Sequence, residues 1–132
     1  MTMIPATRFL RTTLSADAAM SGISGLALVA ASDALGRMTA LPPALLLGAG
    51  LFLLPYSALL AWLAARPAVP RWLVGLLALG NLLWALECAA LPLLGLVAPN
   101  GWGITFLAVQ AVAVAVFAEL YVVALRRAAR AA

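Results

Sequence analysis

The sequence predicts an all-α integral membrane protein, a four-helix bundle, from its composition, the length of its apolar segments and the shortness of their connections. Hydrophobic residues make up 67% of the 132 residues, charged residues make up 9%, and the mean hydropathy is +1.14. Soluble domains are about half apolar and about a quarter charged. A soluble fold of this size would leave much apolar surface in water, whereas lipid can cover it.

Four apolar segments are long enough to cross a bilayer: approximately residues 14–35, 41–64, 72–96 and 102–125. Each has about 20 or more residues, which is the length that a hydrocarbon core of about 30 Å requires. The alternating segments of about ten residues that are typical of membrane barrels do not occur. We therefore predict one membrane domain over residues 1–132, with the four spans running up, down, up and down.

The basic residues predict the orientation of the bundle. All eight are arginines, and only Arg37 falls between the first and second spans or between the third and fourth. The other seven flank the opposite ends of the spans: Arg8, Arg11, Arg66, Arg71, Arg126, Arg127 and Arg130. The positive-inside rule then places both termini in the cytoplasm, with the bacterial inner (plasma) membrane as the expected location. This distribution accounts for the net charge of +4 and argues against a nucleic-acid partner.

Cysteine and histidine counts exclude several classes of chemistry. The single cysteine rules out an internal disulfide, a dithiol redox pair and a cysteine-rich metal site. The lack of histidine removes histidine-ligated haem, the usual zinc and copper sites and the commonest general base. We therefore predict a protein that is not an enzyme, with no catalytic residues, no metal site and no cofactor.

Small residues predict where the helices approach one another. Gly22 and Gly25 lie on one face of the first span, and Ala111 and Ala115 lie on one face of the fourth. Small side chains at this spacing let helix backbones pack closely in lipid. Asp17 lies on a neighbouring face of the first span and is expected near the start of the helix. Either Ser15 caps the helix there, or the Asp17 carboxylate lies among the lipid headgroups near the positive end of the helix.

Short connections make the depth of facing residues calculable. Folding the second and third spans about residues 68–69 brings Tyr56 level with Asn81, and folding the third and fourth about residues 98–99 brings Glu87 level with Gln110. Trp84 lies too deep for an interfacial aromatic belt. These five residues are the predicted candidate ligand or proton site.

Glu87 is the residue on which the functional hypotheses depend. A charged group at such depth costs about 2.5–3.5 kcal/mol, and no basic residue lies at its level. We expect a neutral acid that donates a hydrogen bond to Gln110 or to a carbonyl. The alternatives are a proton or cation site and a contact with a partner subunit.

The chain length, the four spans and Asp17 in the first span resemble the small multidrug resistance exporters, which use a carboxylate in their first helix. The characteristic glycine and aromatic motifs of those proteins are missing, and the arginine distribution here is strongly biased. The sequence is therefore not assigned to that family.

The predicted function is that of an accessory or structural subunit of a larger membrane complex, or of a small homo-oligomer. One alternative is a small proton-coupled transporter that uses Glu87, with Pro55 and Pro92 interrupting its helices. Another is a lipid-binding or quinone-binding protein with a pocket lined by Trp84, Tyr56 and Phe52.

Overall fold

The computed structural model describes residues 2–131, so that Met1 and Ala132, the ends of the predicted domain, lie outside the described range. These residues form five helices and two short strands. The helices are α1 (Arg8–Ala30), α2 (Ser32–Thr39), α3 (Pro43–Ala64), α4 (Arg71–Leu93) and α5 (Gly101–Ala131), and the strands are β1 (Met3–Pro5) and β2 (Ala68–Pro70). All of the helices except α2 are long and apolar enough to cross a membrane. The all-α class and the four candidate spans are therefore confirmed.

The first helix begins earlier than its apolar segment. Thr7 has extended backbone geometry, and its side chain accepts a hydrogen bond of 3.2 Å from the Leu10 amide, which is the arrangement of a helix N-cap. Asp17 consequently lies nine residues into α1, about 13.5 Å along the helix at 1.5 Å per residue. The expectation that Asp17 lies near the start of a helix capped by Ser15 is therefore wrong.

The predicted first span also combines two helices. Ala31 leaves helical geometry with φ −127° and ψ 27°, so α1 ends at Ala30 and α2 begins at Ser32. The second helix ends at Thr39, and the next residue, Ala40, adopts the left-handed conformation with φ 58°. At the other end of the chain, α5 continues past residue 125 to Ala131 and carries the last three arginines.

A two-stranded antiparallel sheet joins the N-terminal segment to the α3–α4 connection. Ile4 pairs with Val69, and both side chains are buried. Beside the sheet, the guanidinium of Arg11 donates to the carbonyl oxygen of Arg66 at 3.2 Å. The guanidinium of Arg127 lies 4.2 Å from the centre of the Phe9 ring. The three arginine-bearing segments therefore meet at one end of the molecule.

The opposite end is built from α2 and the α4–α5 connection. The Asn100 side-chain amide donates to the carbonyl oxygen of Met38 at 2.9 Å, and the Asn100 backbone amide donates to that of Thr39 at 3.1 Å. Asn100 also caps α5, since its side-chain oxygen accepts from the Gly103 amide at 3.0 Å. Arg37, which lies apart from the other seven arginines in the sequence, is in α2 at this end.

Glycines allow α1 and α3 to pack with their backbones close together. A Cβ added at Gly25 would lie 3.3 Å from the Gly50 carbonyl oxygen, and one added at Gly22 would lie 2.8 Å from Ser57 Oγ. The two alanines of α5 that were predicted to pack closely differ in burial. Ala111 is partly buried and packs against a buried cluster, whereas Ala115 is exposed. The buried residues of α5 are Gly103, Leu107, Phe117, Ala118, Tyr121 and Ala124.

Two apolar clusters form the core, one towards each end. The cluster at the arginine end includes Leu10, Leu14, Leu60, Leu63 and Val74. The cluster towards the α2 end includes Leu28, Leu41, Leu46, Leu53, Cys88 and Leu107. The α1–α3 pair and the α4–α5 pair are each closely packed, and polar side chains and a cavity lie between the two pairs.

Candidate functional site

Asp17 is the centre of a buried polar cluster. Its side chain is 2% exposed and accepts three hydrogen bonds, all from hydroxyl groups. Ser21 Oγ donates to Oδ1 at 3.0 Å, Tyr56 Oη donates to Oδ2 at 3.0 Å, and Tyr121 Oη donates to Oδ2 at 2.7 Å. These donors come from α1, α3 and α5, so three helices converge on one carboxylate.

The fourth long helix joins this cluster through Asn81. The Asn81 amide nitrogen donates one hydrogen bond of 3.0 Å to Tyr56 Oη and another of 2.8 Å to the Leu77 carbonyl oxygen. Tyr56 and Asn81 therefore lie at the same level, as predicted, and Tyr56 in turn donates to Asp17. We call this set of residues the Asp17 network: Asp17, Ser21, Tyr56, Asn81 and Tyr121. Within residues 2–131, no buried side-chain nitrogen or oxygen lacks a hydrogen-bond partner.

The Asp17 carboxylate has neutral hydrogen-bond donors and, among the described residues, no basic partner. All three of its donors are hydroxyls, and none of the residues lining the adjacent cavity is basic. An ionised carboxylate is an acceptor with about four lone-pair positions. Three donors therefore leave about one acceptor position on Asp17 for another group.

A cavity of about 550 Å³ adjoins the network between the two helix pairs. This volume falls within the range of about 300–1,000 Å³ that small-molecule sites occupy. Most of its wall is apolar and comes from α1, α3, α4 and α5. Its polar lining residues are Asp17, Ser21, Ser24, Tyr56, Asn81, Trp84, Glu87 and Gln110.

Three stacked aromatic rings form one wall of the cavity. The Phe52 ring centre lies 6.0 Å from that of Tyr56 and 5.9 Å from that of Trp84, with interplanar angles of 15° and 25°. Trp84 is held by a hydrogen bond of 3.1 Å from its Nε1 to Gln110 Oε1. Phe52 is 57% exposed, so the cavity opens beside it to the surface of the bundle.

A second cavity of about 390 Å³ lies next to the first, towards the α2 end. The two share part of their lining: Phe52, Trp84, Glu87, Phe106 and Gln110. Phe52 and the Trp84–Gln110 pair therefore line both cavities.

The predicted partnership of Glu87 with Gln110 is wrong. Glu87 is exposed and makes no hydrogen bond to any residue in the range 2–131, while Gln110 accepts from Trp84 instead. Counting residues from a connection gives the depth of a side chain but not its angle about the helix axis. Glu87 lies one residue, or about 100°, from the buried Cys88, and this turns its side chain to the rim of both cavities.

The buried position of Asp17 differs from the prediction, although two local signals in the sequence indicate it. Thr7 is a favoured N-cap residue, and a helix starting at Arg8 would have placed Asp17 in its third turn. Ser21, four residues later, lies on the same face of that helix. No local signal identified Tyr121 as a donor to Asp17.

The chemistry offered by the site is that of one buried carboxylate beside an apolar and aromatic cavity. Within the described range, no group of three or more histidine, cysteine, aspartate or glutamate side chains is placed to hold a metal ion. No family model, no curated protein and no solved structure matches this chain. The function is therefore inferred from the geometry of the site.

Proposed function

We propose that the protein is a multi-pass protein of the bacterial inner membrane, in which α1, α3, α4 and α5 cross alternately and both termini are cytoplasmic. The meeting of the arginine-bearing segments supports this orientation, since Arg11 contacts Arg66 and Arg127 lies over Phe9. Cytoplasmic ends of membrane helices carry an excess of basic residues. The opposite end carries Arg37 and the Asn100 turn.

Within this bundle, the protein binds a small molecule with large apolar parts and acts without catalysis. The observation that carries this proposal is the cavity of about 550 Å³ between the two helix pairs, with its wall of Phe52, Tyr56 and Trp84. Sites for small molecules are mostly apolar and contain a few placed polar groups, and helix bundles hold such sites between facing helices. The opening beside the exposed Phe52 faces the lipid, from which an apolar ligand can enter.

Two glycines of α4 provide a matched test. Gly80 lines the cavity, Gly75 does not, and a Cβ added at either position meets nothing within 4 Å. Gly80→Leu should fill the cavity, whereas Gly75→Leu adds the same side chain elsewhere on the same helix. The probe is the neutral compound 1-neopentylnaphthalene, measured by equilibrium binding to protein in nanodiscs, with empty nanodiscs subtracted.

We expect saturable binding to wild-type protein and to Gly75→Leu, and at least about a tenfold loss of affinity in Gly80→Leu, the equivalent of about 1.4 kcal/mol. Absence of saturable binding to wild-type protein, or equal affinity in both variants, would rule out this cavity as a ligand site.

A second role, as an accessory subunit or small homo-oligomer, is supported by Glu87. This acid is exposed on a surface of α4 whose neighbouring side chains, Leu83 and Leu86, are about half exposed. A carboxyl group facing lipid is costly, and contact with another protein helix would relieve that cost. Light scattering of wild-type and Glu87→Leu protein in detergent tests this role. If the wild-type protein has the mass of a single chain, self-association is contradicted.

A further inference from the structure

We propose that the ligand of the cavity beside Asp17 is an organic cation, with the Asp17 carboxylate as its counter-charge. This inference rests on the proposed function, because it requires that the cavity binds a small molecule. The charged groups of the cavity, its free acceptor positions and the character of its walls all favour this class of molecule.

Among the described residues, the cavity wall carries carboxyl groups and no basic group. Asp17 and Glu87 are its two carboxylic acids, and no arginine of the described range lines it. The hydroxyls on Asp17 are neutral donors, so they solvate the carboxylate without cancelling its charge. Charge interactions are much stronger in a region of low dielectric constant than in water, so this wall favours a positive ligand and disfavours an anion.

Hydrogen-bond donors in the wall are largely used within the protein. The hydroxyls of Ser21 and Tyr56 both donate to Asp17, and the Asn81 amide donates to Tyr56 and Leu77. The indole N–H of Trp84 donates to Gln110. Acceptor capacity remains on Asp17, where three donors occupy about three of four positions. A ligand that brings positive charge complements this pattern better than a neutral acceptor does.

The walls suit an organic cation with apolar substituents. The stacked rings of Phe52, Tyr56 and Trp84 line the space next to Asp17. The faces of aromatic rings attract cations within about 6 Å, and recognition of quaternary ammonium groups commonly uses such rings. The volume of about 550 Å³ accommodates substituents that fill the apolar remainder of the cavity.

An isosteric pair of probes separates the charge from the shape. The cation is (1-naphthylmethyl)trimethylammonium, and its neutral counterpart is 1-neopentylnaphthalene, in which carbon replaces nitrogen. Affinities of both are measured in nanodiscs for wild-type protein, for Asp17→Asn and for Glu119→Gln. Glu119 is an exposed acid of α5 that does not line the cavity, so its variant controls for the net charge of the protein.

Wild-type protein and Glu119→Gln should bind the cation at least about tenfold more tightly than the neutral probe. Asp17→Asn should bind both probes about equally. Saturable binding of the neutral probe without preference for the cation overturns the inference and leaves the proposed function standing. Failure of both probes to bind overturns the proposed function itself.

Folding of each variant is checked by its thermal unfolding in detergent. If Asp17→Asn does not fold, the preference is measured in Glu87→Gln, which removes the other acid of the wall. Persistence of the preference in Glu87→Gln is the expected result, since Asp17 remains. Its loss would assign the charge selection to Glu87 and overturn the inference.

Discussion

The hydroxyl oxygen of Tyr121 lies 2.7 Å from Asp17 Oδ2, across a sequence separation of 104 residues. Tyr121 is fully buried, and its hydrogen bond links the last helix to the first. Tyr56 donates to the same oxygen from α3 and accepts from Asn81 of α4. The carboxylate of Asp17 is therefore a point at which all four long helices are connected through hydrogen bonds.

Removing the Tyr121 hydroxyl should destabilise the bundle while leaving its packing intact. Tyr121→Phe keeps the buried ring and removes one hydrogen bond to a carboxylate, which costs about 1.5–3 kcal/mol when the acceptor is charged. A lowered midpoint of thermal unfolding in detergent checks this. A double-mutant cycle with Asp17→Asn should show coupling of at least about 0.5 kcal/mol, and additive effects would contradict the bond's contribution.

Close packing of α1 on α3 predicts a sharp difference between two glycines of α3. A Cβ at Gly50 would lie 2.8 Å from Leu28 Cβ and 2.9 Å from the Gly25 carbonyl oxygen, whereas a Cβ at Gly48 meets nothing within 4 Å. Gly50→Ala should therefore lower the free energy of unfolding by about 1–3 kcal/mol. Gly48→Ala should be neutral or stabilising by up to about 1 kcal/mol, because alanine favours the helix. Similar unfolding midpoints for the two variants would contradict the close approach.

Glu87 should be dispensable for stability. Because it is exposed and makes no hydrogen bond within residues 2–131, neither Glu87→Gln nor Glu87→Ala should lower the free energy of unfolding by more than about 0.5 kcal/mol. The partnership with Gln110 that the sequence suggested would instead make Glu87→Ala costly. Trp84→Phe is the comparison, since it removes the hydrogen bond to Gln110 and should cost about 0.5–1.5 kcal/mol. The free energies of unfolding of the three variants are compared by denaturation in the same detergent.

The orientation of the bundle can be tested with reporter fusions. Fusions after Arg66 and after Ala132, a residue outside the described range, should report a cytoplasmic location, and a fusion at Asn100 should report a periplasmic one. The reason is the gathering of seven arginines around the β1–β2 end. A cytoplasmic signal at Asn100 would contradict the proposed topology.

Counting residues from a short connection predicted correctly which side chains of two neighbouring helices lie at the same level. Tyr56 and Asn81 lie on either side of the short α3–α4 connection, so counting residues from it placed them at the same level, where they form a hydrogen bond. The same counting failed for Glu87 and Gln110, because it does not determine the angle of a side chain about its helix axis. Trp84, three residues before Glu87, occupies the angle that faces Gln110.

Composition and apolar length by themselves determined the helical class and the number of long apolar helices, because covering a hydrocarbon core requires a minimum run of apolar residues whatever their partners are. The arginine positions likewise determined which segments share one end. Only the tertiary structure decided which acid is buried. The donors to Asp17 lie on three helices, two of them 39 and 104 residues distant, and no local pattern encodes that convergence. The helices bring these hydroxyls together because a polar group buried among apolar side chains is stable only when it is hydrogen-bonded.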